Sequence, residues 1–478
     1  MSIENGRGYS RRELLARGWN GIGGLALAHL LAREAQSQQN VPGAKKPHHT
    51  PKAKNVIFLF VSGGVSQVDC FEHKPALQKY AGKRLPAMGE LEGELASFLK
   101  QPHGAVPPPF PLRQCGSSGR WMSTLFEHLS KSADDLASVH GVKVDSNNHS
   151  PATMHVNTGS PFQGNPSVGA WVNYGLGSEN QNLPGYVVLH DARGGPVNGS
   201  AVWQSGYLPA AYQGVPFRSA GEPILNLQSP PGVSREQTRR ELDLLRYLNE
   251  KHAAERGAAD ELEARIQAYE LAFRMQTEAP GVVNINEEPA HIQKLYGLDQ
   301  PATQSFGRQC LMARRLVEKG VRFVLLVHGW ENGVYSWDHH SDLKTLLPAR
   351  IGEVDKPVAG LLHDLRQRGL WNDTLVVWTS EMGRTPFNEG AGASLGRNHN
   401  QWGLVNWLAG GGVKAGATAG GTDDFGLRAA GNPIPIRDVH ATILHLLGLE
   451  HTMLTHLHEG RFKRLTDTGG VVLREILT

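Results

Sequence analysis

Continuous apolar runs alternate with helix-like segments along much of the chain. Residues 56–61 form such a run, which ends in a glycine turn at 62–64, and similar runs lie at 323–327 and 375–378. Unbroken apolar runs of this length are typical of strands buried on both faces, and their alternation with helices is typical of a parallel sheet. We predict an α/β fold with a mostly parallel central sheet, helices on both faces and long loops.

The helix-like segments are identified by their spacing and their ends. Segments 304–319 and 355–368 each stop at a glycine, and 234–276 places leucines at a three-to-four spacing among many charges. The stretch 184–231 is rich in Gly and Pro and predicts irregular loops. We therefore predict one domain over residues 51–478, with a helical insertion at about 233–278.

The first fifty residues read as an export leader and linker. Arg11 and Arg12 precede an apolar run at 21–32, and a polar linker follows at 36–54. This order resembles a twin-arginine leader, whereas an amphipathic helix with a chance arginine pair is the alternative. The run is too short for the ~20 residues that span a bilayer. We predict export by the twin-arginine machinery to the periplasm or beyond, without a permanent membrane anchor.

Composition and charge exclude several classes of protein. The 478 residues are 40% hydrophobic and 19% charged, which is ordinary for a globular protein with a large core. The net charge of +3 is small and spread along the chain, so no nucleic acid partner is expected. Three widely spaced cysteines form neither a disulfide framework nor a CxxC metal motif. The 22 histidines are more informative, because several lie in glycine-rich polar segments.

Candidate metal ligands follow the predicted strands of the C-terminal third. Asp338 and His340 lie in a loop after one strand, Glu381 ends the next, and His399 follows in a glycine-rich segment beside Arg397. Carboxylate and imidazole ligands suit Zn, Mn or Mg. Each cluster alone is more often a solvated loop, but three clusters after adjacent strands predict one shared site.

Two further candidate segments lie nearer the N-terminus. Asp69 follows the first glycine turn, and residues 149–159 bring together His149, Ser150, Thr153 and His155. A helix start is predicted at Ser150, where a hydroxyl and the positive helix end would suit an oxyanion. An ordinary serine-capped helix is the alternative.

The order of these motifs resembles the sulfatase branch of the alkaline phosphatase superfamily. Segment 370–381 is similar to the sulfatase pattern in which a polar turn leads through an apolar strand to a metal-binding acid. Segment 149–159 resembles the sulfatase signature that contains the nucleophile, and 437–448 is similar to the helix that follows the site. Over nearly the whole chain, the closest resemblance is to a secreted, sulfatase-like bacterial family of unknown function.

This resemblance implies an alkaline phosphatase-like three-layer sandwich that hydrolyses sulfate or phosphate esters. Its cofactor would be one or two divalent ions, Zn, Ca, Mg or Mn, and its substrate an anionic ester, a sulfated polysaccharide among the candidates. Arg384 or Arg397 would hold the anion. The implied metal ligands are Asp69, Asp338, His340, Glu381 and His399.

The chain departs from the sulfatase pattern at the nucleophile. His149 stands where a sulfatase has the cysteine that becomes formylglycine, and Thr153 stands where it has an arginine. Ser150 or Thr153 could replace the nucleophile, or a metal-bound water could attack directly. His149 or His155 would then act as general acid or base, or as a further ligand. Met382 replaces the residue that normally completes a second metal site.

Two other functions remain open from the sequence. The missing nucleophile is compatible with an inactive protein that binds an anionic polysaccharide or a surface partner. A phosphodiesterase or phosphomutase of the same fold would differ from a sulfatase only in its substrate.

Overall fold

The computed structural model describes residues 45–86, 104–219, 221–224, 227–229, 232–256, 260–331, 334–388 and 394–478. The predicted leader and most of the linker lie outside these ranges. None of the helices within them is long and apolar enough to cross a bilayer.

The described residues form a nine-stranded central sheet. Its strands are β1 (Asn55–Val61), β4 (Leu136–Lys143), β5 (Tyr186–His190), β6 (Val215–Phe217), β7 (Phe323–His328), β10 (Thr374–Thr379), β13 (Leu404–Gly410), β14 (Thr418–Gly420) and β15 (Ile434–Pro435). Their order is β14-β4-β13-β10-β1-β7-β5-β6, and β15 also pairs with β4. All of these pairings are parallel except those of β13, which runs antiparallel to both neighbours. The predicted mostly parallel sheet is therefore confirmed.

Successive residues of β1 belong to opposite cores, because side chains alternate across a strand. Ile57 and Leu59 pack into one buried cluster, whereas Phe58 and Phe60 pack into the other. Helices cover both clusters, so the predicted three-layer sandwich is confirmed. The helices are α1 (Gln67–Cys70), α2 (Pro75–Lys79), α3 (His149–Thr158), α4 (Val168–Leu176), α5 (Arg235–Arg256), α6 (Asp260–Val283), α7 (Ala290–Leu295), α8 (Pro301–Glu318), α9 (Leu343–Gln367) and α10 (Ile436–Leu446).

Strand register brings three loops to one edge of the sheet. Strand β1 lies between β7 and β10, with Val61 opposite His328 and Phe60 opposite Thr379. Because the three strands are parallel, the loops that follow them leave the sheet at the same carboxyl edge. In open α/β sheets this edge is where ligands bind.

Short hairpins shape those loops. The hairpin after β7 precedes Asp338, and a second hairpin pairs Arg384 with His399. The chain segments after β7 and β10 are thereby held close together. The paired short strands are β2 (Leu112–Cys115) with β3 (Arg120–Ser123), β8 (Trp330–Glu331) with β9 (Val334–Tyr335), β11 (Gly383–Arg384) with β12 (His399–Asn400), and β16 (His456–His458) with β17 (Arg461–Lys463).

The structure differs from the sequence predictions in two places. The stretch 184–231, predicted to be irregular, contains β5 and β6, because its short apolar run at 186–189 packs beside β7. Helix α9 begins at Leu343, well before the predicted 355. It continues through Pro348 and Pro357, so neither proline ends it. Helices α5 and α6 occupy the segment whose leucine spacing predicted them. The division into a domain and a helical insertion stays a prediction.

Candidate metal centre

Four side chains from three separate chain segments converge at the carboxyl edge of the sheet. His149 is the first residue of α3, Asp338 and His340 follow β9, and His399 lies in β12. One ligand atom from each lies within 4.8 Å of the others. We call these four residues the metal cluster.

Asp338 is the centre of the metal cluster. Its Oδ1 lies 2.8 Å from His340 Nε2 and 3.3 Å from His399 Nε2, and its Oδ2 lies 3.2 Å from His149 Nε2. Burial would raise the pKa of Asp338, but hydrogen bonds from the three imidazoles and the charge of Arg384 hold this pKa well below its usual value. Asp338 is therefore ionised at neutral pH, the state that a metal ligand requires.

Two of the imidazoles are oriented by hydrogen bonds at Nδ1, the ring nitrogen that faces away from Asp338. His399 Nδ1 lies 2.6 Å from the carbonyl oxygen of Asn147, and His149 Nδ1 lies 2.7 Å from Glu381 Oε1. Since a carbonyl or carboxylate oxygen can only accept, Nδ1 donates in both rings and Nε2 faces the cluster. Metal-ligating histidines in proteins are held in this way.

Nitrogen atoms of two rings also face each other directly. His340 Nε2 lies 3.1 Å from His399 Nε2, and both lie beside Asp338 Oδ1. Two imidazole nitrogens and a carboxylate oxygen this close are a donor set that fits a shared divalent cation.

Glu381 lies behind His149, outside the metal cluster. It is fully buried, and its carboxylate accepts hydrogen bonds from the backbone amide groups of Gly63 (2.8 Å) and Gly64 (3.2 Å) and from Ser380 Oγ (3.0 Å). Burial would raise the pKa of Glu381, but the hydrogen bond and charge of His149, together with the backbone amide of Gly63, lower it. Gly63 has φ of 123°, and a Cβ there would lie 2.6 Å from the backbone nitrogen of Asp338, so glycine is required at this turn.

Replacing Glu381 by Gln is expected to weaken metal binding by about 10–100-fold, the usual cost of losing an outer carboxylate partner. The side-chain oxygen of Gln can still accept from His149 Nδ1, but without the negative charge it holds the tautomer that presents Nε2 to the metal less firmly. Calorimetric titration of the metal-free protein with Zn²⁺ measures the change. An affinity equal to that of the parent protein would show that Glu381 has no part in orienting His149.

Asp69 does not join the metal cluster. Arg397 forms a two-pronged ion pair with it, with Nε 2.6 Å from Oδ2 and a terminal nitrogen 2.7 Å from Oδ1. Ser66 Oγ donates a third hydrogen bond to the same carboxylate at 2.5 Å. Both charged residues are buried, so the geometry favours a structural ion pair over the predicted ligand role of Asp69.

The geometry also leaves the predicted anion-binding role of Arg384 and Arg397 unsupported. Arg384 is buried and donates to the carbonyl oxygens of Gly63, Gly64 and Arg397 and to Asp338. The remaining donors of Arg397 reach the carbonyl oxygens of Thr385 and Val106. Both guanidinium groups fasten loops together instead of facing an open site.

The remaining candidates of α3 have different surroundings. Ser150 is half-buried, and its amide donates to the side chain of Asn148. Asn148 caps the helix, which begins at His149, one residue before the predicted start. Thr153 is fully buried. His155 is buried, accepts from the amide of Asp145 at 3.0 Å, and has a pKa lowered to about 4 by burial and by Arg437. Of the predicted catalytic residues, the structure places His149 in the metal cluster.

Asn147 and Gly63 were not identified from the sequence. Their contributions come from a backbone carbonyl and a backbone amide, which any residue type supplies. The positive φ of Gly63 was foreshadowed only by the paired glycines of the turn.

The family model described as "Protein of unknown function (DUF1501)" matches residues 53–477. The chain belongs to this family. Membership of DUF1501 confirms the predicted resemblance to a family of unknown function. No curated protein was found to match the sequence.

Several solved structures are similar to this DUF1501 protein at low sequence identity. Phosphonate monoester hydrolase SpPMH from Silicibacter pomeroyi has 13% identity over 83% of this chain and 73% of its own, with a TM-score of 0.36. The PsFucS1 sulfatase from Pseudoalteromonas sp. has 14% identity over 89% and 71%, with a TM-score of 0.32. Alkaline phosphatase from the Antarctic bacterium TAB5 has 12% identity over 83% and 98%, with a TM-score of 0.30.

Proposed function

We propose that this DUF1501 protein is a metal-dependent hydrolase of sulfate or phosphate esters. The supporting observation is the metal cluster, in which hydrogen bonds at Nδ1 orient His149 and His399 so that their Nε2 atoms face Asp338. A divalent ion held there would lower the pKa of a bound water and polarise an ester oxygen.

Three imidazoles and one carboxylate favour some ions over others. Nitrogen ligands suit Zn²⁺ or Mn²⁺, whereas Ca²⁺ and Mg²⁺ prefer all-oxygen sites. Asp69 and Glu381 were the predicted additional ligands. The carboxylate of Asp69 is instead paired with Arg397, and that of Glu381 accepts hydrogen bonds from the glycine turn. The arrangement therefore supports one ion rather than two.

The substrate would approach from the side of His340. The His340 side chain is 34% exposed, compared with 16% for Asp338 and His399 and 10% for His149. The buried three hold the base of the site, and the more exposed ring borders the opening. His149, at the start of α3, also places the positive end of a ten-residue helix beside the cluster, where an anionic ester would be stabilised.

A panel of model esters tests the reaction. Metal-free protein, reloaded with Zn²⁺ or Mn²⁺, is assayed on 4-nitrophenyl sulfate, 4-nitrophenyl phosphate and bis(4-nitrophenyl) phosphate. Metal-stimulated release of nitrophenol is the expected result, and the preferred ester separates a sulfatase from a phosphatase or phosphodiesterase. Absence of turnover on all three with stoichiometric metal bound would contradict the hydrolase proposal.

A second candidate, binding without turnover, is favoured by one observation. His149 occupies the position that the sulfatase resemblance gives to the nucleophile, and its imidazole belongs to the metal cluster. An inactive protein of this kind would bind an anionic polysaccharide. Saturable glycan binding that survives His340→Ala and His399→Ala would support it.

Metal affinity is expected to rise with pH between about 7 and 9. In the metal-free protein, burial lowers the pKa of His149, but hydrogen bonds to Asp338 and Glu381 outweigh burial and raise it to about 9. A protonated imidazole cannot coordinate, so binding must release this proton, and affinity gains up to about tenfold per pH unit. Titration calorimetry in buffers of different ionisation enthalpy counts the released protons.

The free energy of unfolding of the metal-free protein is expected to fall as pH rises from about 7 to 9, whereas metal affinity rises. A raised pKa in the folded state means that His149 contributes stability below its unfolded pKa of about 6.5, and this contribution is lost as pH rises through about 9.

A metal affinity that is constant from pH 7 to 9 would contradict the proposed role of His149.

We also propose that the protein is exported by the twin-arginine route. Arg11, Arg12 and the short apolar run at 21–32 support this proposal. Replacing both arginines by lysine in the full-length chain is expected to retain the protein in the cytoplasm, which cell fractionation measures. Unchanged export of the double variant would argue for another route.

A further inference from the structure

A large cavity lies at the opposite end of the sheet from the metal cluster. It has a volume of about 780 Å³, is open on one side, and is bordered by α5, α6 and the starts of β5 and β6, including Tyr186 and Val215. Because β5 and β6 are parallel to β7, their first residues lie at the amino edge, whereas the metal cluster lies at the carboxyl edge. A cavity of this size accommodates a small organic molecule.

The cavity contains a buried amide oxygen that lacks a hydrogen-bond partner among the described residues. Asn173 of α4 is only 2% exposed, and its side-chain oxygen has no hydrogen-bond partner among the described residues. The amide lies against Gly185, where a Cβ would be 2.3 Å from that oxygen. Both residues line the cavity. Buried polar groups are almost always hydrogen-bonded, so this unpaired oxygen indicates a contact with a hydrogen-bond donor of a ligand.

A guanidinium group faces the same space. Arg274 Nε donates to the carbonyl oxygen of Gln181 at 2.7 Å, which holds the side chain in place. Its two terminal nitrogens have no hydrogen-bond partner within the described ranges. The nearby carboxylate of Glu270 is bound to Arg239 at 2.6 Å and to Arg246 at 3.0 Å. The charge of Arg274 also lowers the pKa of Glu270, but no direct ion pair joins the two side chains among the described residues. Arg274 is thus available to a carboxylate.

Apolar side chains, two acids and Arg246 also line the cavity, and Arg246 is paired with Asp243 and Glu270. Leu183, Ile266 and Leu271 supply aliphatic surface. Glu250 and Glu270 also border the cavity and would repel a second negative charge on a ligand. The lining therefore selects an apolar molecule with a single anionic group.

We propose that this cavity binds a small organic anion with an apolar body, one carboxylate and one further hydrogen-bonding group. Arg274 pairs with the carboxylate, the aliphatic side chains cover the apolar body, and Asn173 bonds the remaining polar group. The site is independent of the metal cluster and of the proposed hydrolase activity.

Titration calorimetry with 4-hydroxyphenylacetate tests this inference on chelator-treated protein. Saturable binding is expected. The affinity should fall about tenfold or more when the ligand is the neutral 4-hydroxyphenylacetamide, and by a similar factor when the protein is the Arg274→Gln variant. Asn173→Ala should lower the affinity for 4-hydroxyphenylacetate more than the affinity for phenylacetate, which lacks the hydroxyl.

Two matched variants separate this site from the rest of the molecule. Arg240→Gln removes an exposed arginine of α5 outside the cavity, and His149→Ala alters the metal cluster; neither should change the affinity. Arg274→Lys keeps a positive charge and should retain part of the binding, which excludes misfolding as the cause of a loss. No binding at millimolar concentration, or equal weakening by Arg240→Gln, would overturn the proposal.

Discussion

Asp338→Ala is expected to remove stoichiometric metal binding and ester cleavage together. Loss of an outer partner typically costs 10–100-fold in metal affinity, and Asp338 contacts all three imidazoles of the metal cluster, so a loss above about 100-fold is expected. Metal content by mass spectrometry and turnover on the best model ester measure the two effects.

Matched variants make the Asp338 result interpretable. Asp424 is an exposed carboxylate outside the metal cluster, and Asp424→Ala should retain metal and activity. Because Asp338 also neutralises Arg384, its removal could lower the stability of the fold. His399→Ala removes a ligand without that ion pair and should likewise lose metal. Retention of one bound ion by both Asp338→Ala and His399→Ala would exclude the metal cluster as the binding site.

Arg397→Ala is expected to lower the free energy of unfolding by about 3–5 kcal/mol, the usual cost of breaking a buried ion pair. The guanidinium is 0% exposed and Asp69 is 1% exposed, so the variant leaves a buried carboxylate without its partner. Urea unfolding followed by circular dichroism measures the difference. The same experiment tests whether Arg397 is structural or binds substrate.

Three controls accompany the Arg397 measurement. Asp69→Ala should destabilise by a similar amount, and the double variant should lose less than the sum of the two. Lys54→Ala breaks an exposed ion pair with Asp373 and should cost no more than about 1 kcal/mol. An Arg397→Ala protein of parental stability but raised KM would instead favour the predicted role in holding the anion.

Much of the sheet could be predicted because its central strands are buried on both faces. The uninterrupted apolar runs that became β1, β7 and β10 reflect that double burial, and their parallel order explains why Asp338 and Glu381 lie at the same edge. Strands β5 and β6 were missed because glycines and prolines flank short runs. Their strand conformation depends on pairing with β7, a long-range effect that local composition does not indicate.

The metal cluster was only partly predictable for a similar reason. Asp338, His340 and His399 could be expected together from their positions after adjacent strands. Glu381 and Asp69 have the right chemistry, but their roles depend on which neighbour each carboxylate meets. Asp69 is paired with Arg397, 328 positions away, and Glu381 with a glycine turn 318 positions before it. No local pattern encodes either pairing.

X-ray absorption at the zinc edge of the reconstituted protein tests the metal cluster most directly. We predict one zinc per chain, with scattering from three imidazole rings and at least one oxygen ligand, and we predict that this spectrum is lost in Asp338→Ala. Zinc that is substoichiometric, or that lacks the imidazole signal, would contradict a metal centre built from His149, Asp338, His340 and His399.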